Sequence, residues 1–235
     1  MGGRCRLLGM SLDSRRVTSA VLALGITTAL LLSVGTRALA SGATNAVSPT
    51  GTVAGQGYGY WLERSWQASF STSPPVNPCK TLTANGQRVA DLTLTSPTAS
   101  PGTYAYTCTE PAGRPIYVVQ VSSECSTFKG DHPGYGTTAV DLKRCARAGF
   151  QGPPQETTTV DGRSVDLGKL IAGTGVYPVH VSEKNIVNAK PGSGRSAAYG
   201  YGLLLSGFSN GTHTIHSVVN LGTSHWDITF TVHIH

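Results

Sequence analysis

The last ten residues, WDITFTVHIH, constrain the fold more than any other stretch. Trp226, Ile228, Phe230, Val232 and Ile234 alternate with Asp227, Thr229, Thr231, His233 and His235. A period of two puts the apolar set on one face of a β-strand and the polar set on the other. Such a strand needs a sheet around it and a second layer to cover its apolar face. Residues 197–235 read as three strands, with Asn210-Gly211 as the dipeptide a tight type I′ hairpin turn prefers.

The same grammar recurs upstream. Asn85-Gly86 and Asp161-Gly162 are further hairpin signals, each between β-prone runs. Residues 115–121, PIYVVQV, are apolar on both faces, which marks a central strand. Residues 176–181, VYPVHV, carry Pro178, which belongs on an edge. The spacing predicts about eight or nine strands, hence an all-β sandwich. Two short helices interrupt it. In residues 58–70, Trp61, Leu62, Trp66 and Phe70 recur at helical spacing and predict a cap on the sandwich. Residues 138–148 form the second, with Thr138 and Asp141 placed to cap its start.

Residues 1–40 have the form of a signal peptide. Arg4, Arg6, Arg15 and Arg16 precede an apolar run over residues 17–34, and Ala38-Leu39-Ala40 follows as a small-x-small cleavage site. This segment is the only one expected to touch a membrane, and only if it stays uncleaved. Residues 41–57, rich in Ser, Thr, Gly and Ala, read as a disordered linker, and residues 58–235 as one sandwich domain. Of the 18 Lys and Arg and the 12 Asp and Glu, five and one fall in residues 1–40; 13 and 11 remain, a net charge of +2. That leaves no basic stripe, so no nucleic-acid partner is expected.

Cys5 falls in the signal segment, and Cys79, Cys108, Cys125 and Cys145 remain. An even count in an exported chain reads as two disulfides. Four cysteines allow three pairings; Cys79–Cys108 with Cys125–Cys145 is preferred because each pair brackets a local unit. A zinc site built on these cysteines lacks any Cys-x-x-Cys spacing.

These residues also carry a resemblance. The Trp61/Trp66 cap, the Asn77-Pro78-Cys79 loop, the Tyr106-Thr107-Cys108 strand, Glu124-Cys125-Ser126, the Cys145 helix, the Val160-Asp161-Gly162 turn and the closing Gly211-Thr212-His213-Thr214-Ile215 segment stand in that order. The chain resembles a broad group of bacterial secreted proteins known only as uncharacterised or signal-peptide proteins. The resemblance implies export and a C-terminal β-sandwich, and it brings no activity.

Three groups of residues could carry chemistry. His233 and His235 share a strand face, and His213, His216 or His225 could add a third nitrogen for zinc or copper, with Asp227 beside them. Glu124, near Asp131 and His132, could serve as an acid or base on a glycan. Trp61 and Trp66 could stack on a sugar ring, although aromatics at helical spacing more often pack a core. No Gly-x-Ser-x-Gly elbow and no phosphate-binding loop is present. The expectation is a secreted, disulfide-braced protein that binds an extracellular glycan or protein, with no cofactor and no assigned catalysis. A metal-dependent enzyme using the C-terminal histidines and a carboxylate-based glycan enzyme are the alternatives.

Overall fold

The computed structural model of the 235-residue chain describes residues 6–8, 45–72, 77–93, 100–129, 134–149, 155–187 and 189–235. Two sheets carry the fold. The first runs β2 (Cys79–Ala84), β3 (Gln87–Thr93), β5 (Ile116–Ser126), β10 (Gly192–Leu205) and β8 (Ile171–Gly173); β9 (Tyr177–Val181) also pairs with β10, and β1 (Arg6–Leu8) with β5. The second runs β4 (Gly102–Glu110), β12 (Ser224–Ile234), β11 (Gly211–Leu221), β6 (Gln155–Val160) and β7 (Arg163–Val165). With helices α1 (Tyr58–Phe70) and α2 (Ala139–Ala148), this is the expected all-β, sandwich-like architecture.

Each sequence signal has a structural counterpart. In β12, Trp226, Ile228, Phe230, Val232 and Ile234 are all buried, and they meet the inward residues of β11 and β4. Asn85-Gly86 and Asp161-Gly162 both take positive φ and close the β2–β3 and β6–β7 hairpins. All of β5 is buried, because β3 and β10 flank it and layers cover both its faces. Pro178 lies in β9, whose pairing is to β10. Both preferred disulfides are present. Cys79–Cys108 ties β2 of one sheet to β4 of the other, and Cys125–Cys145 pins α2 to β5. Loops of 29 and 20 residues closed in this way each contribute about 3 kcal/mol.

Helix α1 lies on the first sheet and turns a half-buried surface into a closed one. Its inner residues include Trp61, Leu62, Trp66 and Phe70. It also buries polar groups. Ser65 Oγ donates to Asp91 at 3.0 Å, Thr93 Oγ1 donates to the other Asp91 oxygen at 3.0 Å, and Lys80 Nζ stands 3.5 Å from the same carboxylate. This explains why β3 is buried on both faces from Val89 to Thr93 rather than half-buried. Across the sheet, β5 carries a bulge opposite Gly200 and Gly202 of β10. A Cβ on Gly202 would stand 2.7 Å from Tyr117 Cε2, so the bulge needs glycine there for the Tyr117 ring to lie flat.

Two expectations are corrected. Asn210-Gly211 does not close a hairpin. Residues 206–210 carry the chain from β10 in the first sheet to β11 in the second, and the β11–β12 turn falls instead at Gly222-Thr223, between the paired Leu221 and Ser224. The dipeptide signals a tight reversal, but the partner of the following strand is chosen by long-range packing. Residues 45–57 are not a free linker. Val47 N–H donates to the Leu204 carbonyl at 2.8 Å, the Tyr58 hydroxyl donates to the Val47 carbonyl at 2.6 Å, and Val53 joins the core. Here the segment extends the β10 edge, and its few apolar residues fill a margin beside α1. The apolar run at 17–34 and the loop residues Asp131 and His132 lie outside the described residues.

Candidate functional site

A concave surface lies between α2 and the β8–β10 ladder. Helix α2 begins at Thr138, whose hydroxyl accepts from Asp141 N–H at 3.1 Å. Leu142 and Ala146 turn inward and form a small separate core with Cys125 and Ala197. Lys143, Arg144 and Arg147 then fall on the outer side, because they are offset from that inner stripe. Their side chains line a cleft of about 600 Å³, closed on the other side by Gly173, Thr174 and Tyr199.

The cleft floor is built by close approach. Tyr199 of β10 pairs with Gly173 of β8, and its ring lies where a Gly173 Cβ would stand 3.2 Å away. The Arg147 guanidinium sits 5.0 Å from the centroid of that ring, within cation–π range. The backbone beneath is knitted together: Thr174 N–H donates to the Ala198 carbonyl at 2.9 Å, and Ala198 N–H donates to Thr174 Oγ1 at 2.8 Å. Arg144 is tied to Asp141 at 2.5 Å. Lys143 and Arg147 meet no carboxylate among the described residues. Sequence reasoning missed this cleft. Its only visible trace is the i, i+4 spacing of Lys143 and Arg147, and nothing in the sequence ties α2 to Tyr199.

Glu124 sits elsewhere, on the α1 face of the first sheet, and is 1 % exposed. Cross-strand pairing places Ser122, Glu124 and Ser126 on one face with Ala198, Ser196 and Tyr177. Ser196 Oγ donates to Glu124 Oε1. Burial pushes the Glu124 carboxyl up to about 8, partly opposed by the Ser196 hydrogen bond. Burial likewise drives the Tyr177 phenol well above its usual range, and the nearby Glu124 adds to the effect. A second carboxyl, Glu156 on β6, shares the inward face with Val219 and is also pushed up to about 8 by burial. Neither acid lines the α2 cleft, and burial shuts Glu124 off from a glycosidic bond.

The histidines proposed as a metal set do not converge. His213 pairs with Val232 and so lies on the inward side of the second sheet, whereas His233 pairs with Thr212 on the outer side. Both His213 nitrogens are already engaged. Nδ1 is 2.8 Å from Asp161 Oδ2, Nε2 is 3.1 Å from the Ser209 carbonyl, and the ring stacks on Phe208 at 4.3 Å. His233 Nδ1 meets Thr212 Oγ1 at 3.1 Å, and Asp227 is taken by His216 at 2.9 Å. His235, the last residue, is exposed. No group of three possible ligands gathers among the described residues. Alternation along β12 carries no information on which way a partner strand turns its own histidine.

Trp61 and Trp66 are 0 % and 1 % exposed. They are core residues holding α1 to the sheet and cannot stack on a ligand. Trp61 Nε1 donates to the Gln56 carbonyl at 3.2 Å, and Trp66 packs against Phe70.

No protein-family model matches the chain, and no curated protein matches it. Among solved structures, the chain is similar to that of PbICP-C in complex with falcipain-2, at 9 % identity and a TM-score of 0.26, over 62 % of this chain and 98 % of that one. It is also similar to the solution structure of amebosin, at 13 % identity and a TM-score of 0.23, over 62 % of this chain and 96 % of that one. Both likenesses are distant. The protein is thus defined by its own features: a two-sheet fold with two disulfides and a basic cleft beside its second helix.

Proposed function

We propose that this is a non-catalytic binding protein of an exported, oxidising compartment, and that it takes its ligand in the cleft between α2 and β8–β10. One observation carries the reading. The cleft has the volume of a small-ligand site, and its two walls are fixed, one by the Cys125–Cys145 disulfide and the other by the Tyr199–Gly173 contact. A rigid, preformed pocket lowers the ordering cost of binding. Two disulfides fit an oxidising compartment. The signal-peptide pattern and the resemblance to exported bacterial proteins support the same address. No described helix is long and apolar enough to cross a membrane.

The polar lining of the cleft is cationic and hydroxylic, with no histidine and no carboxylate. The test is binding of oligosaccharide and peptide panels to the purified chain by calorimetry, beside the Tyr199→Ala and Arg147→Ala variants. A ligand bound one-to-one, unconverted, and lost in both variants supports the reading. A ligand bound equally well by both variants, or turned over, refutes it.

A further inference from the structure

Resting on that reading of the cleft, we infer that its ligand is a small dianion, with two oxyanion groups about one helical turn apart. Lys143 and Arg147 stand at i and i+4 on α2, both exposed. That spacing sets their Cβ atoms about 5–6 Å apart on one helix face. Neither charge meets a carboxylate among the described residues, whereas Arg144, on the same helix, is already bound to Asp141. No carboxylate lines the cleft. The field in it is therefore of one sign, which attracts anions and repels cations.

The two cations are not equivalent. Arg147 lies over the Tyr199 ring, and Tyr199 is fixed from below by Gly173. The guanidinium centre is thus anchored 5.0 Å from the ring centroid. Its planar fork of donors suits a carboxylate, phosphate or sulfate taken in two parallel hydrogen bonds. Among the described residues Lys143 has no such ring beneath it. An ammonium is a point charge on a flexible stem and tolerates a second anionic group of varied geometry. The hydroxyl of Thr174 is spent on the Gly175 carbonyl, at 2.7 Å. The cleft thus offers charge and a fork, with few neutral donors for a bare sugar. Its volume admits a di- or tricarboxylate, or a sugar bearing two acidic groups, and the oxyanion pair is the chemistry these share.

The experiment is calorimetric titration of the full chain with citrate, pyrophosphate, inorganic phosphate, acetate and neutral maltotriose, at low and high salt. Citrate or pyrophosphate should bind, on the order of tenfold tighter than acetate or phosphate respectively, and added salt should weaken the binding. Preference for citrate points to carboxylates, and preference for pyrophosphate to phosphates. Arg147→Lys keeps the charge and loses the fork, and should cost on the order of tenfold. Lys143→Ala should erase the preference for the dianion, while Lys169→Ala, which lies outside the cleft and is paired with Asp166, should change neither. All three positions are exposed, so unchanged melting curves will show that the variants fold. If maltotriose binds as well as the dianions and salt has no effect, the inference falls; loss of that binding in Tyr199→Ala would leave the cleft standing as a neutral-ligand site. Dianion binding unmoved by Lys143→Ala and Arg147→Lys places the anion elsewhere and overturns the inference. So does the absence of any dianion binding.

Discussion

Glu124→Gln should reshape how stability depends on pH. The native carboxyl is pushed from 4.5 up to about 8 by burial, so the folded chain keeps a proton that the unfolded chain releases above pH 4.5. Stability is then fully present below about pH 4.5 and is lost as pH rises toward 8, because the unfolded state binds fewer protons than the native state in that window. Carrying the carboxyl from 4.5 to about 8 amounts to on the order of 5 kcal/mol across the window. For a chain of this size that is a fall in Tm of about 10 °C or more. Glutamine keeps the volume and an oxygen to accept from Ser196 Oγ, but it cannot ionise. At pH 5 the variant should lie within about 1 kcal/mol of the natural chain; by pH 8 it should be the more stable of the two. Glu156, also pushed up to about 8 by burial, will leave a residual slope in the variant, and Glu124→Gln/Glu156→Gln should flatten it. The assay is thermal unfolding by circular dichroism at half-unit steps from pH 4.5 to 8.5. Parallel curves for the natural chain and Glu124→Gln, with no crossing, would refute the reasoning.

Other outcomes follow from the same packing. Replacing both Cys125 and Cys145 by Ala opens a 20-residue loop and should cost about 3 kcal/mol, or about 6–12 °C in Tm; an unchanged melting curve in oxidising buffer would contradict it. Asp91→Ala strands Lys80, whose side chain is only 10 % exposed, and removes the acceptor for Ser65 and Thr93. Its expected cost, read from denaturant midpoints, is about 3–5 kcal/mol. Gly202→Ala would set a methyl 2.7 Å from Tyr117 Cε2, so chemical denaturation should show a loss of about 1–3 kcal/mol. Trp66→Ala should cost about 3–5 kcal/mol in the same assay, since the ring is 1 % exposed.

How much of this was legible in the sequence depends on the range of the interaction. The β12 alternation, the Asn85-Gly86 and Asp161-Gly162 turns, the Thr138 cap and both disulfides rest on neighbours close along the chain, or on pairs that bracket a local unit. Asn210-Gly211 reads the same locally but serves a crossing between sheets, which local chemistry cannot signal. The linker expectation failed for a related reason: Val47 and Val53 are sparse, and only the β10 edge makes them useful. The candidate cleft needs Arg147 to meet Tyr199 and Gly173, contacts set by how α2 lands on the sheet. Glu124 stood out as an acid closing a central strand, but its burial comes from layers the strand pattern does not encode.

The Cys125–Cys145 bridge has a consequence beyond stability. Helix α2 is held to the sheet by Leu142 and Ala146, by the Ser123 hydroxyl donating to the Ala146 carbonyl, by the Arg147–Tyr199 contact and by that bridge. Both cleft cations ride on this helix, and Arg147 follows the bridged cysteine by two residues. Opening this one bridge would loosen the wall that carries them, while the large core, which α2 does not join, still holds the two sheets together. The cleft therefore depends on the Cys125–Cys145 bond more directly than the two-sheet core does.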